Sequence, residues 1–397
     1  MSFDPMRRTL GRGRPFRLIV TGGGTGGHTY PALTTIRTLR AAEAASGRSI
    51  EVLWVGAAGS LEERVAEGEG ITFRTVVTGK LRRSGTPLGL ASLANLTDLV
   101  KVPLGVAQAR SLLTEFAPDV VLATGGYVAL PVGFAARLCH RPLVVHEQTV
   151  RLGLANRTLA RLATRFAVSS ESTLALLPES ARRAAVVTGN PVRPEVMVGR
   201  ADKAVEALAL HGFDRRLPTV YVTGGAQGSQ QINRLVCGIL PWLLERANVV
   251  HQCGPDNVAE LDEATATLPA ELAARYRSTG YVGVELPDVL ALADVVVSRS
   301  GAGTIAELTA LGKASVLVPL GTSAGDEQAY NARHLADAGA AVALLGEVSA
   351  QDLRDAVGEL VADDARRLDM AKRARAQGRS DAAERLVDVV LATAAGR

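Results

Sequence analysis

Between Asp294 and Asn331 the chain passes through an apolar triplet (Val295–Val297) and a turn of small residues (Ser300-Gly301-Ala302-Gly303-Thr304). A stretch at helical spacing, a second apolar run ending in Leu317-Val318-Pro319 and a polar segment with Asp326, Glu327, Gln328 and Asn331 follow. An apolar run so short, closed at once by a glycine-rich turn, fits a strand buried on both faces of a parallel sheet. The turn supplies cap and small residues where a helix should begin. A helix start exposes backbone N–H groups and carries about half a positive charge, which suits a phosphate. Glu307, one turn further on, is placed to accept hydrogen bonds from a pair of sugar hydroxyls, and residues 326–331 are expected in a loop. An ordinary βαβ unit with a glycine turn accounts for the same residues, so the stretch constrains the fold class, α/β, before it constrains a ligand.

The same grammar recurs along the chain. Phe16–Val20 reads as a buried strand and is followed by TGGGTGGH (Thr21–His28), then by Leu33, Ile36 and Leu39 at helical spacing. Gly22, Gly24 and Gly27 satisfy the G-x-G-x-x-G spacing of dinucleotide folds, but that pattern wants an acidic residue at the end of the next strand. Ile50–Val55 ends instead in Val55-Gly56, which disfavours a nicotinamide cofactor and leaves an open loop with His28 at its rim. Val120–Ala123 runs into Thr124-Gly125-Gly126-Tyr127, and Leu143–Val145 into His146-Glu147-Gln148. Strand ends of this kind are where open α/β sheets bind ligands. His146 and Glu147 read either as an acid/base pair or as a hydrogen-bonded cluster beneath the loop.

Thr219–Val222, followed by Thr223-Gly224-Gly225-Ala226-Gln227-Gly228-Ser229, repeats the opening of the chain and predicts a second doubly wound domain. Val249–Gln252 and Tyr281-Val282 are expected as further strands. Pro191 and Pro194 around Arg193 stop regular structure. Arg193 is then either a hinge residue that clamps a phosphate bidentately or a surface ion pair. The organisation predicted is an extension over 1–15, one Rossmann-like domain over 16–196 and a second over 197–379. A final helix within 380–397, with Ala382, Leu386, Val389, Val390 and Leu391 in an apolar stripe, is expected to pack back on the first domain.

Composition excludes several classes. A chain of 397 residues is long for one core, and 47% hydrophobic with 21% charged residues is ordinary for a soluble protein. A net charge of +4 and 4% aromatics argue against nucleic acid as a partner. Cys139, Cys237 and Cys253 follow no metal-ligand spacing and fit a reducing cytoplasmic setting. Residues 1–15 are basic without a long apolar core, which reads as an extension and not a signal peptide. Lys80, Arg82 and Arg83 precede Leu88, Leu90, Leu93, Leu96 and Leu99. That pairing suits an anionic membrane surface, or equally a helix packed on the core.

Taken together and in order, GGTGGH (Gly23–His28), GGY (Gly125–Tyr127), HEQ (His146–Gln148), GNPVR (Gly189–Arg193), GG-x-QG (Gly224–Gly228), HQ-x-G (His251–Gly254), RSGAGTIAE (Arg299–Glu307) and Q-x-x-NA (Gln328–Ala332) resemble the MurG family over nearly the whole chain after residue 15. The resemblance implies a GT-B fold, two doubly wound Rossmann-like domains facing across a cleft. It also implies inverting transfer of N-acetylglucosamine from UDP-GlcNAc to the lipid-linked muramoyl-pentapeptide of peptidoglycan synthesis, on the cytoplasmic face of the membrane and without a cofactor. Alternatives of the same fold are a transferase with another nucleotide sugar or a natural-product acceptor, and a nucleotide-sugar isomerase. By the same resemblance the donor would be held by Arg193, Ala226, Gln227, Gly228, Gly301, Ala302, Gly303, Thr304, Glu307, Glu327 and Gln328. The acceptor would be held by Gly23, Gly24, Thr25, Gly26, Gly27, Gly125, Gly126, Tyr127, Gln148 and Thr149. His28 becomes the candidate general base and Glu147 the second catalytic candidate. No Asp-x-Asp pair is present to hold a metal. Helix termini at roughly 0.3–1 kcal/mol each and charged hydrogen bonds at roughly 1.5–3 kcal/mol each are then expected to stabilise the leaving diphosphate. Thr149, Ala226, Gly283 and Glu327 depart from the residues usual in the family at those places.

Overall fold

The computed structural model describes residues 14–79, 93–323 and 326–396, with the backbone alone over 93–100. The basic segment with Lys80, Arg82, Arg83, Leu88 and Leu90 lies outside the described residues, as does most of the 1–15 extension. Two compact units divide the chain: Met1–Pro191 together with Asp381–Arg397, and Val192–Ser380. The division falls ahead of the 196/197 boundary read from the sequence, because Val192 and Val196 are buried with Tyr221, Val289 and Leu308 in a core of the second unit.

Among the described residues, the first unit is built on a seven-stranded sheet. Its strands are β1 (Phe16–Gly22), β2 (Ile50–Gly56), β3 (Thr72–Thr75), β4 (Val120–Gly125), β5 (Leu143–Glu147), β6 (Arg165–Val168) and β7 (Ala185–Val187). They lie in the order β3-β2-β1-β4-β5-β6-β7, and every described pairing is parallel. The second unit has β8 (Thr219–Thr223), β9 (Asn248–Gln252), β10 (Tyr276–Thr279), β11 (Val295–Ser298), β12 (Ala314–Leu317) and β13 (Val342–Ala343). Their order is β10-β9-β8-β11-β12-β13, again parallel throughout the described pairs. Both sheets thus grow outward from their first strand, then jump to its other side. That is the doubly wound order, with a switch point between β1 and β4 and another between β8 and β11.

Two local expectations change. Tyr281-Val282 lies past the end of β10, where the Val282 N–H donates to Gln252 Oε1 (2.9 Å) instead of entering a ladder. Glu327 and Gln328 are not in a loop but open the helix Glu327–Asp337, after Asp326 turns the backbone at φ +56°.

Strand alternation sorts the core. Ile19 packs with Leu113, Val121 and Val145 on one face of the first sheet. Leu18 and Val20 pack with Ile36, Leu39, Trp54 and Leu122 on the other. The helix Ala382–Ala394 closes that second face by adding Leu386, Val387, Val390 and Leu391 to the same cluster. Each such side chain contributes about 1.5–3 kcal/mol by leaving water. Leu386→Ala is therefore expected to destabilise the first unit by about 2–5 kcal/mol, read as a lowered urea midpoint. An unshifted midpoint would mean that the terminal helix does not complete this core.

Candidate functional site

At the first switch point, the loop after β1 (Gly23–Thr25) meets the loop after β4 (Thr124–Tyr127). The Gly23 N–H donates to the Gly125 carbonyl (3.3 Å). Gly126 sits at φ +84°, and a Cβ there would lie 2.3 Å from the Gly23 carbonyl oxygen, so no side chain fits between the two backbones. Gly125 and Gly126, expected around an acceptor diphosphate, thus serve first to let these loops interlock. Tyr127 beyond them is 44% exposed and open to a ligand. The helix Gly26–Ala45 starts in this crossing, and its N-cap Thr25 makes no side-chain capping bond to the first-turn N–H groups.

One partner carries almost no signal in the sequence. Glu62, 1% exposed near the start of the helix Leu61–Gly68, accepts from the Gly24 N–H (3.0 Å) and sits where a side chain at Gly23 would have to go. Gly24, expected among the diphosphate-binding amides, has its N–H already engaged by this buried carboxylate. An acidic residue in a helix's first turn is usually a dipole partner of its own helix, which is all that the sequence around Glu62 suggests.

The HEQ segment resolves by strand alternation. His146 and Glu147 end β5, where successive side chains point to opposite faces. They are not a pair, whereas His146 and Gln148 share a side. Glu147 is 1% exposed and accepts on Oε1 from the Thr149 N–H (3.1 Å) and hydroxyl (2.9 Å). On Oε2 it accepts from the Gly153 N–H (2.8 Å) and the Asn156 amide (3.0 Å). It anchors the 149–156 turn at the position where the sequence suggested a second catalytic residue. Thr149, expected against the acceptor, is buried in the same anchor. Gln148, also expected at the acceptor, is 4% exposed and instead meets His28, with Oε1 2.9 Å from His28 Nδ1. His28 is half-buried on the first turn of its helix, and its carbonyl accepts from the Thr124 hydroxyl (3.0 Å). His146 is fully buried, with Nε2 2.9 Å from the Gly189 carbonyl, and burial pushes its pKa down to about 4.

The second unit has a comparable close crossing, here between the loops after β8 and β9, on the side of β8 away from its switch point. In the loop after β8, Ala226 and Gln227 are exposed. A Cβ at Gly228 (φ +72°) would lie 1.8 Å from the Cys253 carbonyl oxygen, so this loop too rests directly on a neighbouring backbone. That carbonyl is held by the Asn233 and Asn257 amides (3.0 Å each), and Asn233 Oδ1 faces His251 Nε2 (3.1 Å). Gln252 donates to the Gly225 carbonyl (2.8 Å), so the HQ-x-G motif is the scaffold of the loop. The helix Ala302–Leu311 starts after Gly301, and Cβ atoms at Gly301 and Gly303 would meet nothing within 4 Å; its start, with Thr304 in the first turn, faces open space. The Gln328 carbonyl group is tied back to this turn by the Ser300 hydroxyl (2.8 Å). The Gln328 side-chain oxygen accepts from the Leu320 N–H (3.0 Å), leaving its NH₂ to donate.

Two arginines define the charge of this site. Arg193 donates through Nε (2.9 Å) and Nη2 (2.7 Å) to the same oxygen of Glu307, Oε1. Burial pushes the Glu307 carboxyl up, and the guanidinium beside it pulls it back down. The sequence assigns these two residues to separate parts of a ligand, and the structure joins them. Arg299, which opens the RSGAGTIAE motif and has no role assigned from the sequence, donates to Gln231 Oε1 (2.9 Å), the Val318 and Pro319 carbonyls (2.9 and 3.0 Å) and the Ser229 hydroxyl (2.7 Å). These described partners are all neutral, so its positive charge stands uncompensated beneath two helix starts, Gln230–Cys237 and Ala302–Leu311. Such an arrangement favours an anion.

Residues 18–168 match the glycosyltransferase family 28 N-terminal domain and residues 219–386 its C-terminal domain. A UDP-N-acetylglucosamine–N-acetylmuramyl-(pentapeptide) pyrophosphoryl-undecaprenol N-acetylglucosamine transferase of Treponema pallidum (strain Nichols) is 35% identical over 82% of this chain and 82% of its own length. The protein of the same name in Halothermothrix orenii is 33% identical over 96% of this chain and 100% of its own. Among solved structures, the crystal structure of Acinetobacter baumannii MurG superposes with a TM-score of 0.72 at 26% identity, covering 95% of this chain and 99% of that one.

The buried histidines set a pH dependence. His146 and His251 are both pushed down to about 4, chiefly by burial, from an unfolded value near 6.5. Below pH 6.5 the unfolded chain binds protons that the folded chain refuses, so stability is full above that pH and falls as pH drops toward 4. Each group is expected to remove about 2 kcal/mol by pH 5. Urea midpoints at pH 7 and pH 5 measure this, and substituting both histidines with glutamine should flatten the fall.

Proposed function

Because the chain belongs to the MurG family within glycosyltransferase family 28, we infer that it is an N-acetylglucosaminyltransferase of the GT-B fold. It transfers N-acetylglucosamine from UDP-GlcNAc to the lipid-linked muramoyl-pentapeptide of peptidoglycan synthesis. The observation that carries the reading is the anion site of the second unit, where Arg299 has only neutral described partners beside two helix starts. A nucleoside diphosphate supplies the missing negative charge. In this reading Gly301, Ala302, Gly303 and Thr304, with Ala226, Gln227 and Gly228, hold the diphosphate. Glu307 takes the ribose hydroxyls, which displaces or shares its bonds to Arg193 and turns that guanidinium toward phosphate. Glu327 and Gln328 take the donor sugar. Gly23, Thr25, Gly26, Gly27 and Tyr127 hold the acceptor.

The chemistry is a single displacement. The acceptor oxygen bonds to the anomeric carbon, its proton passes to His28, and the bond to UDP breaks with inversion. Charged hydrogen bonds and helix starts stabilise the departing diphosphate, so activity is expected to survive EDTA. We further infer that the enzyme works at the cytoplasmic face of the membrane through Lys80, Arg82, Arg83 and the leucines after them. Among the described residues no helix is long and apolar enough to cross a membrane. Replacing the three basic residues with glutamate should abolish co-sedimentation with anionic vesicles.

Incubation with UDP-GlcNAc and the lipid-linked acceptor should give the disaccharide product, and turnover only with another nucleotide sugar would sink the assignment. His28→Ala is expected to lower kcat by about 10²–10⁴-fold with donor affinity near normal. Glu307→Ala should weaken UDP binding by about ten- to hundredfold, measured by calorimetry.

A further inference from the structure

The geometry points to Gln148 and His146 as positioning residues that dictate which nitrogen of His28 carries the proton. This rests on His28 being the base.

The chain of bonds has one consistent direction. Its far end is the Gly189 carbonyl, which can only accept, so His146 Nε2 at 2.9 Å carries the hydrogen. A fully buried His146 whose pKa is pushed down to about 4 stays neutral at working pH, so its Nδ1 is bare and can only accept. The Gln148 NH₂ donates into that position, to His146 Nδ1 at 3.1 Å and to the His146 carbonyl oxygen at 2.9 Å. Gln148 therefore cannot flip, because its oxygen would face a lone pair and a carbonyl at once. With the amide so oriented, Oε1 faces His28 Nδ1 at 2.9 Å and can only accept. Nδ1 of His28 must then be the protonated nitrogen, and Nε2 presents the lone pair.

The ring is held in place as well as in tautomer. The His28 carbonyl accepts from the Thr124 hydroxyl, and a Cβ at Gly125 would lie 2.9 Å from His28 Cε1, so the imidazole lies directly over glycine backbone. The Asn156 amide, which donates to both Glu147 and the His146 carbonyl, ties the relay to the anchored turn. In the reaction Nε2 takes the acceptor proton. The resulting imidazolium keeps its Nδ1–H on Gln148, so no partner has to rearrange during the step.

The test begins with ¹⁵N NMR of the ring nitrogens of the full-length protein labelled at histidine, with His28 assigned by its absence in His28→Ala. The expected signature is a protonated Nδ1 and a bare Nε2; a neutral His28 protonated on Nε2 in the unsubstituted protein overturns the proposal without any further variant. Gln148→Leu should shift His28 toward the Nε2–H form that dominates in free imidazole side chains. It should also lower kcat at least about tenfold, within the 10²–10⁴-fold that a general base supplies. KM for UDP-GlcNAc and the affinity for UDP should stay unchanged. A fully active Gln148→Leu protein, or one whose His28 keeps its Nδ1–H form, counts against the relay. If His28→Ala itself retains turnover, the base assignment fails and the relay with it. If His28→Ala is dead but Gln148→Leu is not, only the relay fails.

Discussion

In each unit, two loops beyond neighbouring strand ends approach more closely than any side chain allows. In the first unit these loops follow β1 and β4, at the switch point, and in the second they follow β8 and β9. Gly126 lies against the Gly23 carbonyl and Gly228 against the Cys253 carbonyl. From that contact follow the position of His28 at the start of one helix and the need for amide side chains to hold carbonyls that no strand pairs.

Much of this is legible in the sequence because it is local. Short apolar runs closed by glycine locate the strands, and the repeat of strand, glycine loop and helix foretells two doubly wound units. The Gly301 helix start also falls where the small residues put it. What escapes depends on partners distant along the chain. His28 and Gln148 are joined only by topology, as are Glu62 and Gly24, and no periodicity announces either bond. The choice between the two readings of His146 and Glu147 is open to sequence reasoning, since neighbours at a strand end face opposite ways. Asp326 hides a helix start because its left-handed backbone resembles a turn residue's.

The two units share a strand order yet carry opposite charges beneath equivalent glycine loops. In the first, the Glu62 carboxylate engages the loop after β1 through the Gly24 N–H. In the second, the Arg299 guanidinium braces the loop after β8 through the Ser229 hydroxyl. A buried carboxylate repels phosphate as directly as a guanidinium with neutral partners attracts it. The duplicated architecture therefore fixes where ligands sit, while one side chain under each loop sets how strongly each binds an anion.

The closing helix has a consequence for how the chain is made. Its Leu386 and Val390 are part of the first unit's core, while the whole second unit lies between them and the rest of that core in sequence. On the ribosome, the N-terminal unit emerges first but lacks part of the cover of one sheet face until residues 382–394 appear. The later-made unit has every strand it needs and can complete itself earlier, so synthesis order and maturation order are reversed. A nascent first unit must wait with Leu18, Val20 and Ile36 partly uncovered, the interval in which a holdase chaperone has the most to shield.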